Sequence, residues 1–166
     1  SVEDAPGLTV CRIRLPQARE GFIGQALSFW RYARKVSRLT SAEEYDLVVA
    51  TSSRLMTTVL GAWVAYRRKT RLYLDIRDIF VENLRLLFPR SLAAPLGWFF
   101  GALECWAINR ADKVNLVSGG FLGYFQPRYP ERQFSLFPNG VDDAFTDCAF
   151  RARPERAVER PLQVLY

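Results

Sequence analysis

Histidine is missing from this chain of 166 residues, and that one absence removes several chemistries. Serine–histidine and cysteine–histidine nucleophilic catalysis have no base, and the commonest metal ligand is gone. Hydrolase and zinc-enzyme readings therefore lose most of their footing. Cysteine is scarce: Cys11, Cys105 and Cys148 are widely spaced, form no CxxC pair and are odd in number. This argues against a disulfide framework and points to a reducing compartment. Long hydrophobic runs are lacking too. The most apolar stretch, Ser91 to Ala102, is too short to span a bilayer and is interrupted by Pro95. No secretory signal is recognisable at the start, so the expected location is the cytoplasm, with at most a peripheral hold on a membrane. Internal repeats, low-complexity tracts and recognised nucleic-acid motifs are absent as well.

What is present is apolar and basic. Hydrophobic residues make up 49% and aromatics 14%, enough for one core in a chain of single-domain length. A net charge of +6 draws phosphates, acidic polymers or anionic lipid without choosing among them. The apolar runs share a habit, in that several end in a small or charged polar cluster. Val48-Val49-Ala50 runs into Thr51-Ser52-Ser53, and Leu74-Asp75-Ile76 into Arg77-Asp78. Leu116-Val117 runs into Ser118-Gly119-Gly120, and Leu136-Phe137 into Pro138-Asn139-Gly140-Val141-Asp142. In open α/β sheets ligands sit beyond the carboxyl ends of the strands, so these clusters mark one wall of a binding cleft.

Periodicity supplies the elements. Leu8 to Leu15 alternates as a first strand, broken by Pro16 and Gly21. From Phe22 to about Leu39, apolar residues recur at three and four, giving a helix with one greasy face and a basic face of Arg31, Arg34, Lys35 and Arg38. Strands follow at Tyr45–Ala50, Arg71–Ile76, Lys113–Val117 and Gln133–Phe137. Between them lie a helix around Leu55 to Val64, which Thr51, Ser52 or Ser53 could cap, and a helix from Leu92 to about Ala111. A short helix from Ser118 through Phe125 joins the last two strands. Strands alternating with helices predict a Rossmann-like, doubly wound parallel α/β sheet with helices on both faces. The expected organisation is one domain over 1–145, a charged, proline-bearing linker over 146–161, and an apolar strand over 162–166 that would open a further domain.

Three pieces carry a family resemblance. The first is the strand ending in Ile76-Arg77-Asp78-Ile79-Phe80. The second is Glu104 near a helix end, followed by Ala111-Asp112-Lys113-Val114 and Ser118. The third is Pro138-Asn139-Gly140-Val141-Asp142. In this order and spacing they resemble the family 4 glycosyltransferases of GT-B architecture, most closely bacterial enzymes that build O-antigen and other surface polysaccharides. The resemblance covers most of the chain from about Leu8 onward. It implies the amino-terminal, acceptor-side half of a two-domain enzyme that moves a sugar, with retention, from a nucleotide-diphosphate sugar. The implied acceptor is a growing surface polysaccharide, either polyprenyl-pyrophosphate-linked or another saccharide, and the implied surroundings include the anionic inner-membrane surface. No metal or other cofactor is implied, and nucleic acid is not an expected partner. The family's glycine-rich loop and its paired glutamates have no counterpart here, which fits an internal fragment lacking its first elements and its donor domain. The alternative is a non-catalytic acceptor-binding or membrane-recruiting subunit that works with a separate donor-binding chain.

Under that resemblance, Arg77 and Asp78 are the expected catalytic pair. Arg77 would lie against sugar or phosphates, and Asp78 would accept from a hydroxyl or hold Arg77 in place. An Arg-Asp pair that merely organises its own loop is the bland alternative. Phe80, Ser52, Ser53, Ser118, Gly119, Asn139, Gly140 and Asp142 are the expected substrate contacts. Ser52, Ser53 and Ser118 read equally as helix caps, and Asn139-Gly140 as a tight turn at a hinge. Ser118-Gly119-Gly120 offers free backbone N–H groups to a phosphate oxygen. Asp75 with Asp78, or Asp142 with Asp143, are poorly placed for a metal. Glu104 is expected to anchor a loop rather than move protons. The basic residues Arg31 to Arg38, with Trp30 and Tyr32, and the cluster Arg67, Arg68, Lys69 and Arg71 suit an anionic membrane surface.

Overall fold

The computed structural model describes residues 2–15, 21–52, 54–81 and 90–140. The expected linker and final strand, with Ser53, Asp142, Asp143 and Cys148, lie outside the described residues.

The chain opens on a hairpin rather than on the expected single strand from Leu8 to Leu15. Strand β1 (Val2–Ala5) pairs antiparallel with β2 (Leu8–Cys11), Ala5 opposite Leu8. Pro6 and Gly7 make the connection, and Gly7 has φ 76°. Proline fixes the first turn residue and glycine tolerates the positive φ of the second, so this pair closes a two-residue turn. The two strands form their own sheet, apart from the main one.

The main sheet has four strands: β3 (Leu47–Ser52), β4 (Arg71–Ile76), β5 (Lys113–Leu116) and β6 (Phe134–Leu136). All three pairings are parallel, and the spatial order follows the chain order. Helix α2 (Leu55–Arg68) joins β3 to β4, and α3 (Arg90–Arg110) stands between β4 and β5. A 3-10 turn (Gly119–Phe121) and α4 (Leu122–Arg128) join β5 to β6. The parallel α/β sheet is the expected Rossmann-like arrangement, but the helices that join its strands lie on one face, where both faces were expected. Among the described residues every step moves one strand in the same direction, so right-handed crossovers put these helices on one face.

Strand alternation agrees. Leu72, Leu74 and Ile76 of β4, with Val114 and Leu116 of β5, are buried against Ala62 and Ala65 of α2, Ala107 and Ile108 of α3, and Phe125 of α4. The side chains between them, Leu47, Val49, Thr51, Tyr73 and Asp75, look to the other face, where Leu47 and Val49 are exposed. Small residues bring α2 close to β3. A Cβ added at Gly61 would stand 2.4 Å from the Cβ of Ala50, which only glycine avoids.

At the amino ends of the strands, charged side chains are tied to backbone. Asp112 Oδ2 accepts from the Leu72 N–H at 2.7 Å, while the Asp112 N–H donates to Leu72 O at 2.9 Å, so one residue bridges β4 to the start of β5. Arg110 donates to Thr70 O at 3.2 Å. Arg132 donates to Ala111 O at 2.6 Å and also to Asn109 O.

Helix α1 (Phe22–Leu39) has the expected bounds. None of its described side chains is fully buried, and it rests on α2 through Phe29, Ala33, Val36 and Ser37. The apolar residues Ile23, Leu27 and Trp30 are exposed; Ile23 keeps 83% of its surface. The basic residues are partly engaged: Lys35 donates to Arg14 O, and the Arg34 guanidinium lies 4.8 Å from the Trp30 ring centre. Among the described residues no helix is long and apolar enough to cross a membrane.

Candidate functional site

Because all four strands are parallel, their carboxyl ends meet at one edge of the sheet. Register places Thr51 opposite Asp75, Asp75 opposite Asn115 and Asn115 opposite Ser135. These four side chains form one polar row across the sheet, on the face away from α2 and α3. Thr51 Oγ1 donates to Asp75 Oδ2 at 2.8 Å, and Asn115 Nδ2 donates to Asp75 Oδ1 at 2.7 Å. Asn115 also takes both backbone groups of Phe137: its Oδ1 accepts from the N–H at 2.8 Å, and its Nδ2 donates to the carbonyl at 3.1 Å. The Ser135 hydroxyl lies 3.3 Å from Asn115 Oδ1. Asn115 is only 2% exposed, and these bonds satisfy a buried amide that would otherwise be costly.

Asp75 is the hub of the row. Besides Thr51 and Asn115 it accepts from Arg77 Nε at 3.0 Å, a bond that is also an ion pair. Burial alone would raise the Asp75 pKa. The hydrogen bonds from Asn115, Thr51 and Arg77 outweigh it and hold the carboxyl below its usual range, so it is an anion at neutral pH. The Arg77 side chain keeps 46% of its surface against 15% for Asp75. With Nε engaged, neither terminal nitrogen of the guanidinium has a partner among the described residues, and both can meet a ligand. A planar cation anchored along one edge and open along the other suits oxygens of a phosphate or sugar.

Arg77 is thus held by Asp75, two residues earlier on the same strand, rather than by Asp78 as one expectation had it. Asp78 turns to the backbone: its Oδ1 accepts from the Ile79 N–H at 2.8 Å. It also lines a narrow cleft of about 20 Å3, room for one water, together with Arg54, Thr58, Phe80 and Glu104. Phe80 stacks edge-on against Phe100, with ring centres 5.5 Å apart. So Arg77, Asp78 and Phe80 gather where β4 ends, with Phe80 partly given over to packing.

The other expected contacts divide. Ser118 Oγ accepts from the Gly120 N–H at 3.2 Å, which is the capping reading; Gly119 is exposed in the turn it caps. Ser52 is the last residue of β3, and Ser53 lies outside the described residues. No side-chain cap of α2 is seen among the described residues. Its N-cap position is Arg54 in extended backbone, and Thr51, one of the three expected caps, spends its hydroxyl on Asp75. Asn139 and Gly140 are exposed beyond β6 at the same edge of the sheet, and the rest of that motif is not described.

Glu104 is 5% exposed and accepts from the Tyr129 hydroxyl at 3.0 Å and the Tyr124 hydroxyl at 3.3 Å. Burial pushes its pKa up, opposed by these two bonds and by Arg128, whose guanidinium lies over the Tyr124 ring. It anchors the segment after β5 to α3. Among the described residues no three histidine, cysteine or carboxylate side chains converge as a metal would need.

Thr51, Asp75, Asn115 and Ser135 were not among the expected site residues. Their signal was a polar residue inside an apolar run, Asp75 in Tyr-Leu-Asp-Ile and Asn115 in Lys-Val-Asn-Leu. Alternation within one strand gives a face but no partner, and only the register between strands aligns the four.

A search of curated proteins finds no match to the chain. The model of the glycosyl transferase 4-like domain family does match, over residues 1–140. Its span takes in the hairpin, the whole parallel sheet and the polar row, so the chain belongs to the glycosyl transferase 4-like domains.

Proposed function

We propose that this chain is the acceptor-side domain of a retaining, GT-B glycosyltransferase. It would pass a sugar from a nucleotide-diphosphate sugar, held by a second domain, to a lipid-linked surface polysaccharide of the bacterial O-antigen or lipopolysaccharide type. The observation that carries the reading is Arg77, braced on the Asp75 carboxylate at the carboxyl end of β4 with its outer edge open. In the transfer, the bond from the sugar's anomeric carbon to the diphosphate oxygen breaks while a bond to the acceptor oxygen forms. The acceptor's proton passes to the departing phosphate. Negative charge builds on the phosphate and positive charge on the sugar ring, so preorganised electrostatics rather than a protein nucleophile lowers the barrier. Arg77 would face the phosphate or sugar oxygens, and Asp78 a hydroxyl of sugar or acceptor.

No metal enters this reading. The acceptor's lipid would bring the domain to the anionic inner membrane surface. Helices α1 and α2 carry four and two basic residues and no Asp or Glu, and each lysine or arginine near such a surface contributes up to about 1 kcal/mol.

The test is made in the enzyme carrying both domains. Arg77→Ala should lower turnover by about 100-fold, on the order of 3 kcal/mol of transition-state stabilisation, while the fold survives. Asp78→Asn keeps shape and removes charge, so a strong loss there supports an electrostatic or proton-accepting role. If both variants fold and turn over like the parent, the site is misassigned.

A further inference from the structure

The polar row contains residues that the proposed transfer does not use. Asp75 stands two residues before Arg77, so the two side chains leave the strand on the same face. Three donors converge on its carboxylate: Asn115 Nδ2 on Oδ1, and Thr51 Oγ1 and Arg77 Nε on Oδ2. Two of them have no other option. Arginine Nε only donates, and the Asn115 amide is fixed by the backbone of Phe137, whose N–H needs Oδ1 and whose carbonyl needs Nδ2. Position 75 therefore needs an acceptor on both sides. A carboxylate supplies that. An amide cannot, because whichever way it turns, its NH2 group meets Asn115 Nδ2 or Arg77 Nε.

This array fixes a direction. An arginine at a strand end has a long side chain with much rotamer freedom, and by itself it samples many poses. Asp75 holds Nε, while Thr51 and Asn115, from the strands on either side, hold Asp75. The guanidinium is thus set from β3, β4 and β5 at once. Asn115 is buried, and its bonds serve the fold. Thr51 is exposed, where water can satisfy a hydroxyl and a carboxylate oxygen separately, so its bond adds little to stability. What that bond supplies is orientation.

The geometry points to Thr51 and Asp75 as positioning residues for Arg77, holding its guanidinium in one pose with the terminal nitrogens outward before a ligand arrives. The inference rests on the role given to Arg77 in the preceding reading and names the groups on which that role depends. Preorganisation of this kind lowers a barrier without any new contact to substrate.

The pose is read first in the 166-residue chain, where the Arg77 Nε–H has its own nitrogen-15 NMR signal. Its exchange with water should be at least about threefold faster in Thr51→Val, which keeps the shape and removes the donor, and at least about tenfold faster in Asp75→Asn. Thr51→Ser, which keeps the hydroxyl, should match the parent. The role is read next in the enzyme carrying both domains. Thr51→Val should lower kcat at least about threefold while leaving the melting temperature within about 2 °C of the parent, and Asp75→Asn should lower kcat at least about tenfold. Thr51→Ser should restore the rate. In an Arg77→Ala background neither substitution should cost anything further, since a residue that acts through Arg77 has nothing left to act on.

The pH profile is an independent readout. From β3 and β5 the Asp75 carboxylate is faced by the neutral Thr51 and Asn115, and Arg77 on its own strand is the charge that acts on it. The brace is lost when the carboxylate takes a proton. With one donor fewer it takes that proton at higher pH, so the acid limb of kcat in Thr51→Val should lie above that of the parent.

Unchanged Nε–H exchange in both variants, parent rates in both, or full further losses in the Arg77→Ala background would overturn the proposal. If Asp75→Asn does not fold, Thr51→Val and its serine rescue still decide. The two readings fail separately. Full turnover in Arg77→Ala sinks the site assignment itself. A large loss in Arg77→Ala, beside parent rates in Thr51→Val and Asp75→Asn, sinks the positioning roles alone.

Discussion

The two ends of the parallel sheet use polar residues in opposite ways. At the amino ends, Asp112, Arg110 and Arg132 each reach a backbone N–H or carbonyl. At the carboxyl ends, the bonds run between side chains, Thr51 and Asn115 to Asp75 and Asp75 to Arg77, and the series finishes in a half-exposed guanidinium. Backbone partners complete the fold and close off the group that makes them. A chain of side chains ends somewhere, and here it ends with hydrogen-bond donors facing outward. The difference teaches where to look for ligand contacts: a strand end whose polar side chains answer one another has donors to spare.

Substitutions at the two ends can break this contrast. The largest effect is expected at Asn115. Asn115→Leu keeps the volume but leaves Asp75 Oδ1 and both backbone groups of Phe137 without their partner, and should cost about 3 kcal/mol of stability. Turnover of the two-domain enzyme should fall as well, because Asp75 and hence Arg77 lose their brace. Denaturant midpoints and initial rates check the two parts. A variant that loses stability but keeps full turnover would show that the row is structural at this end too.

A smaller effect is expected at Asp112. Asp112→Ala strands the Leu72 N–H and should cost about 2 kcal/mol, and Asp112→Asn, which can still accept, about half of that. Neither should change turnover once the proteins are folded. A loss of activity in a folded Asp112→Asn enzyme would mean that the amino end also shapes the site.

The smallest effect is one of pH and separates the two buried or half-buried carboxylates. Asp75 has a lowered folded pKa, so its contribution is complete above the ordinary aspartate range and is lost as pH falls toward the folded value. Glu104 has a raised folded pKa. The folded state there binds more protons than the unfolded one, so stability falls as pH rises through the window between the two values. Glu104→Gln keeps an oxygen for Tyr124 and Tyr129 and removes the charge, so it should stabilise the fold above that window and leave it unchanged below. Melting curves across pH would show this as a flatter profile. A drop in stability at neutral pH would mean that the buried anion is favourable as it stands.

Much of the sheet was legible because each βα step keeps its own period: Arg71–Ile76 alternates and the helices recur at three and four. The hairpin is hidden in the sequence because Leu8 to Leu15 alternates well by itself, while its partner strand lies before the Pro6-Gly7 turn. Helix α1 is legible in its bounds but not in its packing. Amphipathicity tells which side is apolar, and only packing tells whether that side is buried. At the site, Arg77 and Asp78 could be picked out by their place after a strand. Their partners could not, since Thr51, Asp75 and Asn115 lie 24 and 40 residues apart along the chain and meet only through register.

The missing Cβ of Gly61 has a mechanical meaning. A notch one carbon deep, seated over Ala50, works as a detent: α2 cannot slide along β3 by even one residue without driving a side chain into the strand. The residue after Ala50 is Thr51, the first member of the polar row, and the start of α2 carries Arg54 beside Asp78. The close approach of α2 to β3 therefore sets the spacing between two parts of the rim, and a single hydrogen in the place of a methyl group acts as the stop against which that rim is adjusted.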